Sequence, residues 1–310
     1  MDTVGDYQLL QKLGDGFSGT VRVGRSLKTN MMVAIKIASS DVIANHPEIV
    51  DLMAKEFEIL SFFNHPHIIR PIEFQRNQKL RSSSRDIQYS VPLLVLELAD
   101  KGELCELIVE TGPFPEQVAR YYFWQLLNAV DHVHRKGLAH RDIKLENLLL
   151  NEKMDLKLID FAFSTRFTTF ESSPAGTEGY IPPEMFTDAK VDVVSQDMFA
   201  LGVTLFIMVR GSPPFNTTSA EDPFYRVLTK NPTAFWDYQK SNDSSFDVSA
   251  SFKQLIEGLL AKDPKRRWGV IEILKNEWYN RSVDERAVLE YIRNASRKLL
   301  EIKRSKSSKF

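Results

Sequence analysis

Only one cysteine, Cys105, occurs among 310 residues, so no disulfide can form within the chain and a reducing compartment is the simpler expectation. Net charge is nearly absent as well, because 40 Lys and Arg face 41 Asp and Glu. No field of one sign therefore draws the whole molecule to nucleic acid or to a membrane surface. The start, Met1-Asp-Thr-Val-Gly-Asp-Tyr7, lacks the basic-then-apolar pattern of a secretory signal. The longest apolar run, near 199–209, falls short of the ~20 residues that span a bilayer. His65 and His67 have no further His or Cys at ligand spacing, which favours a turn over a metal site. No EF-hand loop is present to sense calcium. The expectation is a soluble, intracellular, cytoplasmic protein with no nucleic-acid or membrane partner.

What is present is a polar stretch set among apolar ones. An apolar helical pattern runs into His140-Arg141-Asp142, and Asn147 then opens a short run of leucines. A second apolar strand pattern ends on Asp160. Two short strands would place Asp142, Asn147 and Asp160 around one spot. An Asp in a loop can hold a hydroxyl for attack, and Asn with Asp can hold a hard divalent cation through oxygens. Loop Asn and Asp also cap strand ends. That reading leaves unexplained why Asp142, Lys144 and Asn147 fall at this spacing.

Towards the N-terminus, a strand pattern over 7–12 leads into Gly14-Asp-Gly16-Phe-Ser-Gly19-Thr-Val21. A dinucleotide fingerprint would open a helix after its last Gly, and a phosphate loop of the Walker type would end in Gly-Lys-Ser/Thr. Here the continuation to Arg25 alternates apolar and polar, which predicts a strand. Strand, glycine loop and strand make a flap whose N–H groups can approach phosphate, although a plain hairpin has the same outline. In Met32-Val-Ala-Ile-Lys36-Ile37 the alternation puts Val33, Ile35 and Ile37 on one face and Ala34 and Lys36 on the other. A helix is predicted over 47–63. Glu56 and Glu58 lie about 200° apart around it, so only one can face a given neighbour.

The polar stretch 75–90, with Arg76, Lys79, Arg81 and Arg85, reads as a flexible loop between strands. A continuous apolar strand over 91–98 follows, and there the pattern changes from strand-rich to helix-rich. A domain boundary is expected at about 98–102, giving domains 1–98 and 99–281 with a tail at 282–310. A helix is predicted over 115–136, closed by Gly137, and His132 and His134 are assigned structural roles. A strongly apolar helix is expected from Asp197 to about Arg210. The tail turns basic, with Arg293, Arg297, Lys298, Lys303, Arg304, Lys306 and Lys309. It begins helical and is expected as a basic helical or disordered tail, a frayed, solvated terminus being weighed ahead of a calmodulin-type or acid-binding helix.

In unbroken order from Tyr7 to Tyr279 these motifs resemble eukaryotic protein kinases of the serine/threonine type, nearest in pattern to the calcium/calmodulin-dependent and AMP-activated group. The segments that carry the resemblance are the glycine flap, Val33-Ala-Ile-Lys36, Glu56-Phe-Glu-Ile-Leu60, His140-Arg-Asp142-x-Lys144-x-x-Asn147, Asp160-Phe-Ala162, Gly176-Thr-Glu-Gly-Tyr-Ile-Pro-Pro-Glu184 and the stretch ending at Arg267. Two departures stand out: Ala162 replaces a Gly and Pro182 an Ala. The resemblance implies an α+β fold of two lobes, a small antiparallel β lobe with one main helix and a larger helical one. It implies ATP and Mg2+ as cofactors and phosphoryl transfer to protein Ser or Thr hydroxyls. Leu13, Gly14, Asp15, Gly16, Phe17, Ser18 and Gly19 would cover the phosphates, and Val21, Ala34 and Leu149 would sandwich the adenine. Glu97 and Ala99 would meet its edge, with Leu96 at the gatekeeping position. Lys36, held by Glu56, would grip phosphate. Asn147 and Asp160 would hold the metal, Asp142 would orient the substrate hydroxyl, and Lys144 would sit near the transferred group. Arg267 and Glu184 would form a structural pair.

By the same resemblance Arg141 implies control through a phosphorylated segment, with Ser173 as the matching position, Ser172, Thr168 and Thr169 nearby, and Thr177 beyond. An upstream activating kinase would then be a partner. Glu103 and Glu146 match positions that read basic residues in a substrate. Ala162 leaves one competing class open, a pseudokinase that binds nucleotide without turnover, since Ala tolerates fewer dihedrals than Gly. A nucleic-acid module finds no aromatic-basic motif.

Overall fold

Alternation of apolar and polar residues builds the first of two compact units, Met1–Asp100 with Ile159–Ala162; the second is Lys101–Leu158 with Phe163–Phe310. The computed structural model describes residues 2–16, 19–82, 85–167, 176–186, 191–219 and 221–307. In the first unit the elements run β1 (Thr3–Val4), β2 (Tyr7–Gly16), β3 (Gly19–Ser26), β4 (Met32–Ile37), α1 (Ser40–Asn45), α2 (Ile49–Ser61), β5 (Pro71–Ser82) and β6 (Arg85–Glu97). All strand pairs are antiparallel and close a barrel in the order β1-β2-β3-β4-β6-β5. Val33, Ile35 and Ile37 enter its core beside Val4, Leu9, Leu93 and Val95. Helix α2 buries Ile49, Met53, Glu56, Ile59 and Leu60, a single stripe at helical spacing.

The stretch 75–90 corrects the sequence reading. It is the paired end of a long hairpin, not a flexible loop: Gln75 stands opposite Leu93, Lys79 opposite Ser90 and Arg81 opposite Gln88. Strand β1 adds to its far end, with Thr3 opposite Arg81. A ladder is held by backbone groups and needs only one apolar face, here supplied by Leu80 against the barrel core.

The second unit begins with α3 (Leu104–Thr111) and α4 (Glu116–Arg135). Short strands β7 (Leu138–Ala139), β8 (Leu148–Leu150), β9 (Leu156–Leu158) and β10 (Thr165–Arg166) follow. Strand β8 pairs with β9, and β10 with β7. Then come α5 (Val193–Arg210), α6 (Pro223–Lys230), α7 (Pro232–Asn242), α8 (Ala250–Leu259), α9 (Val270–Lys275), α10 (Glu277–Asn280) and α11 (Glu285–Ser307). Helix α5 starts four residues earlier than its apolar run suggests, because the Asp192 side chain caps it by accepting from Val194 N and Ser195 N. At 18 residues it has the length and composition to cross a membrane, but 83% of it is buried inside the fold. It is the core helix of this unit.

Of the two forms expected for the tail, residues 285–307 take the helical one, a single helix with Val288, Ile292 and Leu299 buried on one side. Lys303 Nζ donates to Glu106 at 2.7 Å and Lys306 Nζ to Glu110 at 2.8 Å, which seats α11 on α3. The apolar stripe gives the helix a face to bury, and the acids of α3 meet its cations.

Candidate active site

In the barrel unit, Lys36 lies on the β4 face opposite the core residues. Its Nζ donates to Glu56 Oε2 at 2.8 Å, and both side chains are largely buried, at 13% and 4% exposure. Burial by itself pulls the ammonium pKa down, but the charges of Glu56 and Asp160 and the bond to Glu56 outweigh it and hold Lys36 above the usual lysine range. Glu58, the alternative, faces solvent. The flap is drawn into the sheet: Gly14 stands opposite Val21, Asp15 opposite Thr20 and Gly16 opposite Gly19. Thr20 Oγ1 donates to Asp15 Oδ1 at 2.9 Å, and Lys12 pairs with the other oxygen.

The flap glycines are not equivalent. Gly19 has φ +132°, and a Cβ there would press on the Ile37 carbonyl and come within 2.9 Å of Ala38 Cα, whereas Gly14 has open space around it. Gly19 is needed by the fold. The space at Gly14 is open to a ligand. Val21 stands opposite Lys36, and Ala34 opposite Leu96. Leu13 is exposed, Ala99 is buried, and Glu97 exchanges two bonds with Arg70, accepting from Arg70 N at 2.9 Å and donating its own N–H to Arg70 O at 2.9 Å. Phe17 and Ser18 lie outside the described residues.

Asp160 belongs to this unit and holds φ +63°, an uncommon conformation for a residue with a side chain. Ala162 N donates to its Oδ1 at 3.4 Å, and Phe161 is fully buried with its ring 5.3 Å from that of Phe63. Ala162 itself is not among the left-handed residues. The position where glycine was expected therefore makes no demand here that alanine cannot meet.

In the helical unit the residues of the 140–147 segment are buried together: His140, Arg141, Asp142 and Asn147 are each 5% exposed or less. Arg141 has φ +71°. The carboxylate that fixes this strained turn is Asp197, itself fully buried: it accepts from His140 N at 2.8 Å and from Arg141 N at 2.7 Å, with His134 Nε2 at 2.8 Å. Asp142 N donates to His140 Nδ1 at 3.2 Å. Asn147 Nδ2 donates to Asp142 O at 2.8 Å and to its Oδ2 at 3.0 Å. Lys144 Nζ lies 2.8 Å from Asp142 Oδ2 and donates to Thr177 Oγ1 at 2.6 Å. Thr177 Oγ1 in turn donates to Asp142 Oδ1 at 2.8 Å.

Asp142, Lys144, Asn147 and Thr177 thus form one hydrogen-bonded group. Gly176, at φ +121°, lets this segment approach, since a Cβ would sit 2.9 Å from Arg141 O. The Asn147 amide nitrogen is fully committed to Asp142, which leaves its Oδ1 as the oxygen able to ligate a cation. No group of three acidic, His or Cys side chains gathers as a metal cage among the described residues. Mg2+ takes one or two carboxylate-type oxygens and fills its shell with phosphate and water, and Asn147 Oδ1 is an oxygen of that kind.

Around this group, Leu149 pairs with Lys157 and bridges to Glu103. Glu103 and Glu146 are exposed on the same unit. Partial burial, then Glu106 and Glu146, raise the Glu103 carboxyl above its usual range, so the two predicted acids share one negative patch. Cys105 lies in the same field and is pushed up to about 11, by burial first and then by these carboxylates. Glu184 pairs with Arg267 through both guanidinium nitrogens, Nη2 to Oε2 at 3.0 Å. Arg267 also reaches Ser195 O at 3.0 Å. Ser173, with Thr168, Thr169 and Ser172, lies outside the described residues. Asp197 is the functional residue that sequence reasoning missed. Its only signal was an acid inside an otherwise apolar helix.

A profile of the protein kinase domain matches residues 7–279. The chain belongs to the protein kinase domain family. Among curated relatives of Oryza sativa subsp. japonica, CBL-interacting protein kinase 31 is 31% identical over 287 residues, covering 90% of this chain and 58% of its own length. CBL-interacting protein kinase 9 is 30% identical over 283 residues, with 90% and 57% covered. CBL-interacting protein kinase 33 is 32% identical over 287 residues, with 90% and 58% covered. This kinase chain therefore spans less than two thirds of the length of those relatives.

Proposed function

We propose that the chain is a catalytically active, ATP-dependent serine/threonine protein kinase working inside the cell. The observation that carries this is the buried Asp142, whose carboxylate already accepts a threonine hydroxyl at 2.8 Å while Lys144 and Asn147 hold its other oxygen. A carboxylate so placed can take up a substrate alcohol in the same way. Asp142 accepts the hydroxyl proton as the alcohol oxygen bonds to the γ-phosphorus of ATP and ADP leaves. Lys144 offers positive charge beside the transferred group, and Lys36, kept protonated by Glu56, offers it to the remaining phosphates. By the family resemblance Asn147 Oδ1 in the helical unit and the Asp160 carboxylate in the barrel unit would each offer an oxygen to Mg2+, which would neutralise phosphate charge.

The pseudokinase alternative rests on Ala162, and the backbone there is within reach of any L-residue. All the charged groups that transfer requires are present. The deciding experiment follows labelled phosphate from ATP with Mg2+ into a basic Ser-containing peptide, comparing wild type with Asp142→Asn. Transfer by the wild type, reduced about 10²–10⁴-fold in the variant with unchanged melting, is the expected result. Retention of ATP without any transfer by the wild type would make this a binding module.

The acidic patch of Glu103 and Glu146 supports a preference for basic residues near the target hydroxyl, which a peptide array tests; acidic or proline-directed selection would reject it. Arg141 beside Asp142 supports activation through phosphorylated Ser173 by an upstream kinase. Full activity of Ser173→Ala would remove that reading.

A further inference from the structure

A concave site lies on the helical unit, and its lining residue Glu178 follows Thr177 directly in the chain. The site has a volume of about 620 Å³, within the range of ligand pockets. Pro183, Phe186 and Tyr225 supply its apolar lining, and Phe186 is 60% exposed. Its hydroxyl-bearing wall is fixed in place. Thr218 Oγ1 donates to Ile181 O at 2.9 Å, tying the 217–219 turn to the segment that follows Thr177. Asp222 Oδ2 accepts from Asn216 N at 3.1 Å and Thr217 N at 3.3 Å, while its Oδ1 accepts from Phe224 N and Tyr225 N at 2.9 Å each.

Two observations say what the cavity takes. The first is the floor: Pro183, Phe186 and the 2%-exposed Tyr225 form an apolar lining that suits an apolar side chain. The second is the rim. Arg226 and Lys230 stand one turn apart on α6 and Lys262 on a separate loop, with Glu178 the one acid of the lining among the described residues. None of the three cations is paired with an acid among the described residues. They are exposed and spread over two elements, not gathered as a fork around one point. Such a rim suits several carboxylates better than one phosphate, whose oxygens call for converging donors.

Resting on the kinase reading above, we propose that this cavity docks a segment of the protein substrate outside the phosphorylated stretch, one that carries an apolar side chain flanked by Asp or Glu. Glu178 is the chain neighbour of Thr177, which bonds to Asp142, so a substrate held at Asp142 passes next to the rim. The floor receives the apolar side chain. The three cations face the carboxylates. Linking a weak docking segment to the target stretch raises its local concentration and lowers KM without touching the chemistry.

The test uses the full chain and two peptides sharing one basic Ser-containing stretch. One ends after that stretch; the other continues through a Gly/Ser spacer into Glu-Asp-Phe-Glu-Asp. The expected result is a KM lower by about tenfold for the extended peptide, lost with Arg226→Glu plus Lys230→Glu and weakened by salt, while the short peptide is unaffected by those changes. Phe186→Ser, at an exposed lining position, is expected to keep its melting temperature and to lose several-fold of the advantage. Equal KM values for the two peptides, or an advantage that survives charge reversal, would overturn the proposal. Fluorescence anisotropy with the labelled acidic segment alone separates this from the kinase reading. Saturable, charge-dependent binding without any transfer to either peptide upholds the docking site and removes the kinase reading. Transfer to the short peptide without such binding removes the docking site alone.

Discussion

Lys36 in the barrel unit and Asp142 in the helical unit are both buried charges, but they are held by different means. Lys36 has one hydrogen-bonded acid, Glu56, on a neighbouring helix, with Asp160 contributing through its charge. Asp142 belongs to a group in which Asn147, Lys144 and Thr177 all bond to it and Asp197 pins the turn that carries it. One charge is therefore set by a contact that can be made or broken, the other by a network in which each bond presupposes the rest. The first arrangement suits a group whose pairing is adjustable. The second suits the role proposed above for Asp142, a group already in place when a hydroxyl arrives.

The sharpest way to break this comparison is Asp197→Ala. It leaves the buried N–H groups of His140 and Arg141 without their acceptor and removes the partner of His134. At about 1–3 kcal/mol for each buried group left unsatisfied, the loss should total about 3–5 kcal/mol in chemical denaturation. Activity should fall with it, because Arg141 holds φ +71° only while that carboxylate is present. A variant of near wild-type stability would show that the loop is fixed by packing and not by Asp197.

These residues also show what the sequence can and cannot disclose. Lys36 and Glu56 were legible because alternation places the Lys opposite the core face and helical spacing sets Glu56 apart from Glu58. The resemblance supplied the pairing. Asp197 was not legible, since its role depends on meeting two N–H groups 56 and 57 residues earlier. The hairpin at 75–90 was misread because its polarity suggested a loop, although strand pairing depends on the backbone. The choice between a helical and a disordered tail was not legible for a similar reason: the acids that meet Lys303 and Lys306 lie 197 and 196 residues upstream. Local pattern reveals periodicity, whereas partners brought in by the fold stay hidden.

Glu56→Gln tests the other side of the comparison, with a smaller effect on stability and a distinct one on titration. In the wild type the Lys36 pKa is raised, so the stability linked to its charge is fully present below the ordinary lysine value and is lost only as pH rises through the folded value. No contribution from Lys36 is therefore expected to change between pH 6 and 9. In the variant, burial acts with less opposition and the pKa falls. ATP affinity should then begin to decline at a lower pH than in the wild type, and the ¹⁵N-labelled Lys36 resonance should titrate earlier. The fold should lose about 1–3 kcal/mol, because the amide still accepts a bond but no longer balances the charge. Identical pH profiles would mean that Asp160 sets the charge state by itself.

The smallest effect belongs to Lys303→Ala, and it separates burial from mere proximity. Lys303 and Glu106 approach to 2.6 Å, closer than Lys36 and Glu56 at 2.8 Å, yet their side chains are 51% and 35% exposed against 13% and 4%. Water and salt screen such a pair, so its removal should cost between 0 and about 1 kcal/mol, shrinking further at high ionic strength. Helix α11 should stay seated through Val288, Ile292 and Leu299, and hydrogen exchange of its backbone should remain protected. If α11 lost protection on this one substitution, the tail would be held by charge and not by its apolar stripe, and distance would outweigh burial in this molecule.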